Sequence, residues 1–194
     1  MSEFVLASGS ASRRSLLENA GVAFEIDPAR VNEDALKVGF EGTPSELAVY
    51  LAKAKALEVS QRREGLILGA DQVLAFNGQA YDKAKSIEEA RERLAMLRGG
   101  VHTLEGGVAL AENGEIVWIH SVTSRLTIRD FSDAFLDDYI ANAGDILTKG
   151  VGAYAFEGLG AQLFERVEGD FFSILGLDLL AVLDQLRRRG LLNA

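Results

Sequence analysis

The sequence predicts a mixed α/β fold, a twisted sheet flanked by helices. Three observations carry this. Short apolar runs alternate with amphipathic stretches from residue 4 to about residue 97, the pattern of strands joined by helices. Two Asn-Gly pairs, Asn77-Gly78 and Asn113-Gly114, interrupt apolar runs and read as tight hairpin turns. The second hairpin is long, so antiparallel pairing must join whatever parallel sheet the helices connect.

Each element has its own signal. Glu3 to Ala7 is a short apolar run that reads as a buried strand. The small, hydroxyl-rich Ser8-Gly9-Ser10-Ala11-Ser12 follows, then a helix spaced by Leu16, Leu17 and Ala20 and ended by Gly21. Val22 to Ile26 alternates as a second strand. Thr43-Pro44-Ser45-Glu46 supplies an N-cap, a proline at N1 and the glutamate of a capping box, which starts a helix running to about Arg62. Leu66 to Phe76 is strand-like up to the first Asn-Gly turn. A helix is expected over about Ser86 to Leu97, then the long hairpin Val101–Leu110 and Glu115–Ile128. A helix over Ser132 to Ala141, a glycine-rich stretch with short strands from Gly150 to Gly176, and a final helix from Leu179 to Arg189 complete the chain.

Composition bounds the function. The 194 residues of 20.9 kDa show no linker and no repeat, so residues 1–194 read as one domain. Such a mass should expose roughly 9,000 Å² when folded, about a third of its extended surface. A core of that size needs no covalent staple. With 48% hydrophobic and 25% charged residues the chain is not disordered. It has no cysteine, which excludes disulfides, thiolate metal sites and thiol nucleophiles and fits a reducing, cytoplasmic setting. Residues 1–17 lack the basic start and apolar run of a secretory signal, and no stretch nears the ~20 apolar residues of a membrane span. A net charge of −9 disfavours nucleic-acid polymers. It does not disfavour a small phosphorylated ligand, which feels local charge.

The first turn is the most informative segment. Ser8, Gly9 and Ser10 are small enough for a ligand to approach the backbone, and a helix start offers N–H groups to an anion. Between Phe4 and Leu17 there are two bases, Arg13 and Arg14, and no acid. The segment reads as a phosphate clamp, or more plainly as a capped helix with surface arginines. It is not a Walker A loop. Asp71, in Leu68-Gly69-Ala70-Asp71-Gln72-Val73, sits in an apolar run, where a carboxylate must be paired, hydrogen-bonded or metal-bound. Glu33 lies in an acidic loop and is a weaker carboxylate candidate. Lys53 and Lys55, two apart on one helix, cannot both face a site. Lys83 follows a hairpin strand. For each lysine a solvated surface position is the plain alternative. His102 and His120 lie in strand-like segments and read as satisfied strand residues. Arg187, Arg188 and Arg189 suit the negative end of the last helix. Any metal site here would be built from carboxylates, which favours Mg²⁺ or Mn²⁺.

Taken in order, these segments resemble the Maf family of nucleotide pyrophosphatases. Leu6-Ala7-Ser8-Gly9-Ser10 with Arg13 is similar to the family's opening phosphate loop. Ala11 and Ser12 stand where the family usually carries proline and a first arginine. Glu33, Lys55, Gly69-Ala70-Asp71 and Lys83 match family positions in sequence. Leu97 to His102, Glu105 to Val108, Glu157 to Ala161, Phe164 to Asp170 and Gly176-Leu177 extend the likeness nearly to the end of the chain.

The resemblance implies a two-lobed α/β fold with a deep cleft. It also implies hydrolysis of nucleoside triphosphates between the α- and β-phosphates, and a homodimer. A divalent ion, Mg²⁺ or Mn²⁺, is expected on Asp71 and Glu33, with Asp71 also orienting or deprotonating water. Arg13, Lys55 and Lys83 are expected to offset triphosphate charge, with Arg14 a possible replacement for the missing arginine. Ser8 and Ser10 are expected on phosphate oxygens, and Gln72 and Glu157 along the base. Gln72 and Glu157 also resemble the branch that prefers 7-methyl-GTP. Two other readings stand beside this one. One is a non-catalytic nucleotide-binding regulator of septum formation or cell division. The other is an inosine-triphosphate-type pyrophosphatase.

Overall fold

The computed structural model describes residues 4–193. In chain order its elements are β1 (Phe4–Leu6), α1 (Ala11–Asn19), β2 (Glu25–Ile26), α2 (Glu33–Lys37), α3 (Pro44–Ser60), β3 (Leu66–Phe76), β4 (Gln79–Tyr81) and α4 (Ile87–Leu97). The chain continues through β5 (Val101–Glu112), β6 (Glu115–Ile128), α5 (Asp133–Ala143), α6 (Ile146–Lys149), a 3₁₀ turn (Leu159–Leu163), β7 (Phe164–Glu168), α7 (Phe171–Ile174) and α8 (Leu179–Arg188). The sheet runs β2-β1-β3-β5-β6-β7, with β4 folded back on β3. It is mixed, as expected: β1 pairs in parallel with β2 and β3, while β3–β4 and β6–β7 are antiparallel. Asn77 and Asn113, with φ of 51° and 52°, hold the left-handed backbone that both hairpin turns require.

The chain forms two compact units, one of residues up to Gln72, Gly106–Val122 and Asp170 onward, the other of Val73–Glu105 and Thr123–Gly169. In the first unit the sheet is covered on both faces. Phe4, Leu6, Leu66, Leu68, Val108 and Leu110 pack against Leu16 and Leu17 of α1 and Val182 and Leu186 of α8. Successive strand side chains point to opposite faces. Val5, Ala7, Ile67, Ala109 and Ala111 therefore meet Ala52, Ala56 and Val59 of α3. That second layer is made largely of small residues, because α3 lies unusually close to the strands. A Cβ added to Gly69 would lie 2.2 Å from the Ala52 carbonyl oxygen, and one added to Gly107 would lie 2.3 Å from the Ala48 backbone. The capping box of Thr43 and Glu46, with Pro44 at N1, starts α3 as expected.

The second unit packs α4, α5 and α6 together. Leu94 and Leu97 of α4, Leu136 and Tyr139 of α5 and Leu147 of α6 are all buried. Arg93 is buried on α4. It donates to the carbonyls of Asp82, 2.7 Å away, and Val151, 3.2 Å away, which fixes the segment following β4. His102 is fully buried beside Tyr154 and Phe164. Its Nε2 lies 2.6 Å from the Tyr154 hydroxyl, and its Nδ1 is buried without a hydrogen-bond partner. The satisfied strand histidine expected from sequence is thus only half satisfied. His120, by contrast, pairs with Asp178 at 2.8 Å and stacks on Trp118.

Several elements differ from expectation. The second strand shrinks to Glu25–Ile26, both exposed, while Val22 is buried in the layer of α1 and α8 and Phe24 packs partly buried against it, both outside any strand. The acidic loop at Glu33 is a short helix capped by Asn32, a cap too brief in sequence to stand out. The stretch from Gly150 to Gly176 holds one strand, a 3₁₀ turn and one turn of α-helix. Its positive-φ glycines, Gly169 and Gly176, turn the chain at either end of α7.

Two outcomes follow from this packing. Gly69→Ala is expected to destabilise the protein by at least about 2 kcal/mol in urea denaturation, because backbone must move to admit the methyl group. The second concerns pH. Burial pushes His102 down from its ordinary 6.5 to about 4. The unfolded chain therefore binds the proton first, so stability is full above pH 6.5 and is lost as pH falls toward 4. The stability gap between the wild type and His102→Gln should change by about 2 kcal/mol between pH 7 and pH 5, read by urea unfolding at both pH values.

Candidate active site

The first loop builds one half of the site. Ser10 caps α1, its hydroxyl accepting from the Arg13 backbone N–H at 3.4 Å. The Ser8 hydroxyl accepts from the Ser10 N–H at 3.3 Å and from Arg13 Nη1 at 3.1 Å. Arg13 Nε donates to the Gly176 carbonyl at 2.8 Å. The guanidinium is thus held from the serine loop and from the chain beyond α7. Burial pulls the Arg13 pKa down while the charges of Asp71 and Glu33 push it up. Arginine stays charged throughout. Arg14, the other candidate, points to solvent, where Nε pairs with Glu18 at 2.7 Å.

The second half comes from α3 and β3. Lys55 Nζ lies 2.5 Å from Asp71 Oδ1 and 2.8 Å from Glu33 Oε1. The Lys55 and Asp71 side chains are each only 11% exposed, while Glu33 is 41% exposed. Burial pushes the Asp71 carboxyl above its ordinary value, and the charges of Lys55 and Arg13 oppose that rise. Lys53 turns elsewhere on α3 and lines a shallow groove with Leu57 and residues of β6. Only one of the two helix lysines meets the carboxylates, as their spacing requires.

This cluster of Arg13, Lys55, Asp71 and Glu33 balances two cations against two anions. Asp71 and Glu33 put oxygen donors around a single cation, here the lysine ammonium. Mg²⁺ characteristically takes one or two protein carboxylates and completes its shell with phosphate oxygens and waters. The pair fits such an ion. Among the described residues no group of three or more metal-binding side chains occurs, so protein ligands alone would leave most of the shell to substrate and water.

Gln72 follows Asp71 on β3, but its side-chain nitrogen is already committed. Nε2 donates to the carbonyls of Ser173, 2.9 Å away, and Ile174, 3.3 Å away. Its amide oxygen is the atom left for any ligand. Lys83 and Glu157 belong to the second unit. Lys83 is exposed just beyond the Asp82 carbonyl that Arg93 holds, and Glu157 is exposed in a turn after Tyr154.

Four residues make contacts that the sequence reading did not give. Gly176 supplies a carbonyl to Arg13 from 163 positions away, and its φ of 110° is the one local mark of its role. Arg93 was unmarked on an amphipathic helix. The Ser173 and Ile174 carbonyls carry no side-chain signal at all.

Known proteins align with this chain along nearly its whole length. A family model described as Maf-like protein matches residues 3–189. A nucleoside triphosphate pyrophosphatase of Caulobacter vibrioides is 46% identical over 191 residues, covering 97% of this chain and 96% of that protein. One of Maricaulis maris is 47% identical over 195 residues, covering both chains in full. A 7-methyl-GTP pyrophosphatase of Rhizobium meliloti is 42% identical over 194 residues, covering 98% of each.

The geometry makes Gly176 a test of the Arg13 anchor. An alanine there must adopt a backbone that side chains rarely take, at a cost of about 1–3 kcal/mol. Gly176→Ala is expected to lower the urea midpoint accordingly. A midpoint equal to the wild type's would show that the Gly176 carbonyl can shift without cost.

Proposed function

We infer the function from one premise: this chain belongs to the Maf-like protein family. It is a nucleoside triphosphate pyrophosphatase. Water attacks the α-phosphorus, the α–β bridging bond breaks, and the products are a nucleoside monophosphate and pyrophosphate. The observation that carries the reading is Asp71, a buried carboxylate held at 2.5 Å by Lys55 and facing the charge of Arg13.

The residues of the first unit divide the work. Asp71 orients the attacking water and takes its proton. Burial raises its basicity and the adjacent cations keep it ionised, which suits a general base. Arg13, held by Ser8 and Gly176, presents its remaining N–H groups to phosphate oxygens. Ser8 and Ser10 and the first-turn N–H groups of α1 add hydrogen bonds to the same anion. Lys55 stabilises charge as it grows on the departing pyrophosphate.

Charge balance argues for a divalent ion. The four-residue cluster is neutral overall, so a triphosphate of roughly −4 needs further positive charge. Asp71 and Glu33 would hold Mg²⁺ or Mn²⁺, which when bound neutralises phosphate charge and polarises the reacting phosphoryl group. The roles of Lys83 and Glu157 rest on the family resemblance, which gives Lys83 to the phosphates and Glu157 to the base. An acceptor-only carboxylate suits a cationic base edge, so Glu157 supports a preference for 7-methyl-GTP. The same resemblance supports a cytoplasmic homodimer. Among the described residues no helix is long and apolar enough to cross a membrane. A septum regulator without catalysis is not favoured, since binding alone has no use for a buried base beside two cations.

A panel of dTTP, UTP, CTP, GTP, ITP and 7-methyl-GTP with Mg²⁺ or Mn²⁺ tests this reading by the release of pyrophosphate, not orthophosphate. EDTA should stop the release. Asp71→Asn should lower kcat by about 10²–10⁴-fold with an unchanged circular dichroism spectrum. Full activity in that variant would remove Asp71 from the chemistry.

A further inference from the structure

The carboxylates suited to a divalent ion already hold a cation. Lys55 Nζ contacts Asp71 at 2.5 Å and Glu33 at 2.8 Å. Lys55 and Asp71 are nearly buried, so solvent ions screen their pairing little. Arg13 contributes charge to Asp71, but its hydrogen bonds run to Ser8 and Gly176. Lys55 is therefore the cation seated directly on the carboxylate oxygens. A metal ion offered alone must compete with that ammonium for the pair, and on Asp71 Oδ1 and Glu33 Oε1 must displace it. Expelled, the ammonium would sit in a largely buried place with no counter-ion, which is costly. A phosphate group arriving with the metal removes that cost, because its oxygens receive the ammonium as the carboxylates release it.

We propose that Lys55 is an internal counter-ion that reserves the Glu33–Asp71 pair, so that divalent cation and nucleotide phosphate are taken up together. The inference rests on the pyrophosphatase reading above and adds an order of binding to it. The free protein discriminates against bare metal ions and accepts the metal–nucleotide complex. By linkage, nucleotide raises the affinity for metal and metal raises the affinity for nucleotide by the same factor. Lys55 is what makes that coupling large.

The test is Mn²⁺ binding without nucleotide, followed by electron paramagnetic resonance at one fixed pH, for the wild type and Lys55→Met. The variant should bind Mn²⁺ at least tenfold more tightly, although it has lost a cation and gained no ligand. Equal or weaker binding by the variant overturns the proposal. Removing the lysine leaves two carboxylates facing each other, so thermal melting is measured with Mn²⁺ and with EDTA. Mn²⁺ should raise the melting temperature of Lys55→Met more than that of the wild type. If the variant is unfolded in EDTA, Mn²⁺ should fold it, and a variant indifferent to Mn²⁺ again overturns the proposal. Pyrophosphate release by the wild type is measured separately. Tight Mn²⁺ binding by both proteins, with normal release, removes the reserving lysine and leaves the enzyme standing. No release from any nucleotide removes the enzyme, whatever the Mn²⁺ comparison shows.

Discussion

The close approach of α3 to the sheet governs the rest of the site. Gly69 has no room for a methyl group against the Ala52 carbonyl and Ala56. Asp71 lies two residues further along the same strand, and Lys55 immediately precedes Ala56 on the helix. The missing side chain at Gly69 therefore sets the distance at which lysine meets aspartate. Gly107 repeats the device against Ala48 on β5. A helix held farther out by ordinary side chains would leave the ammonium and the carboxylate in separate surroundings, each with its own desolvation cost.

That cost explains why the charges come in a set. A buried carboxylate beside apolar strand residues is tolerable only with cations in contact, and a buried guanidinium only with hydrogen-bond acceptors. Asp71 has Lys55 and the field of Arg13, while Arg13 has Ser8 and Gly176. Each group is supported by a different segment of chain. The balance is local, and it persists within a molecule whose formal charge is −9.

Much of this was legible in the sequence because it rests on short-range chemistry. The Thr43 capping box, the two Asn-Gly turns and the Ser8–Ser10 loop are local instructions, and each appears where its residues stand. The spacing of Lys53 and Lys55 correctly allowed only one to face the carboxylates. Arg13 stands three and four residues before Leu16 and Leu17, on the packed face of α1, and Arg14 falls off that face, so the apolar spacing already separated the two arginines. What stayed hidden depends on segments meeting from afar. Gln72 looked like a ligand contact, yet two backbone carbonyls a hundred residues later occupy its nitrogen. Glu33 sat in an apparently ordinary acidic loop until α2 brought its carboxylate to Lys55.

The bond from Arg13 to Gly176 has a consequence for the order of biosynthesis. The serine loop, with β1 before it and α1 after it, is made first, whereas the carbonyl that orients the guanidinium follows Arg13 by 163 residues. A nascent chain short of that residue carries every charged side chain of the cluster but lacks the anchor that aims one of them. Its aliphatic layer beneath α1 is incomplete as well, because Val182 and Leu186 have yet to arrive. The guanidinium therefore gains its second hold only after Gly176 has been made.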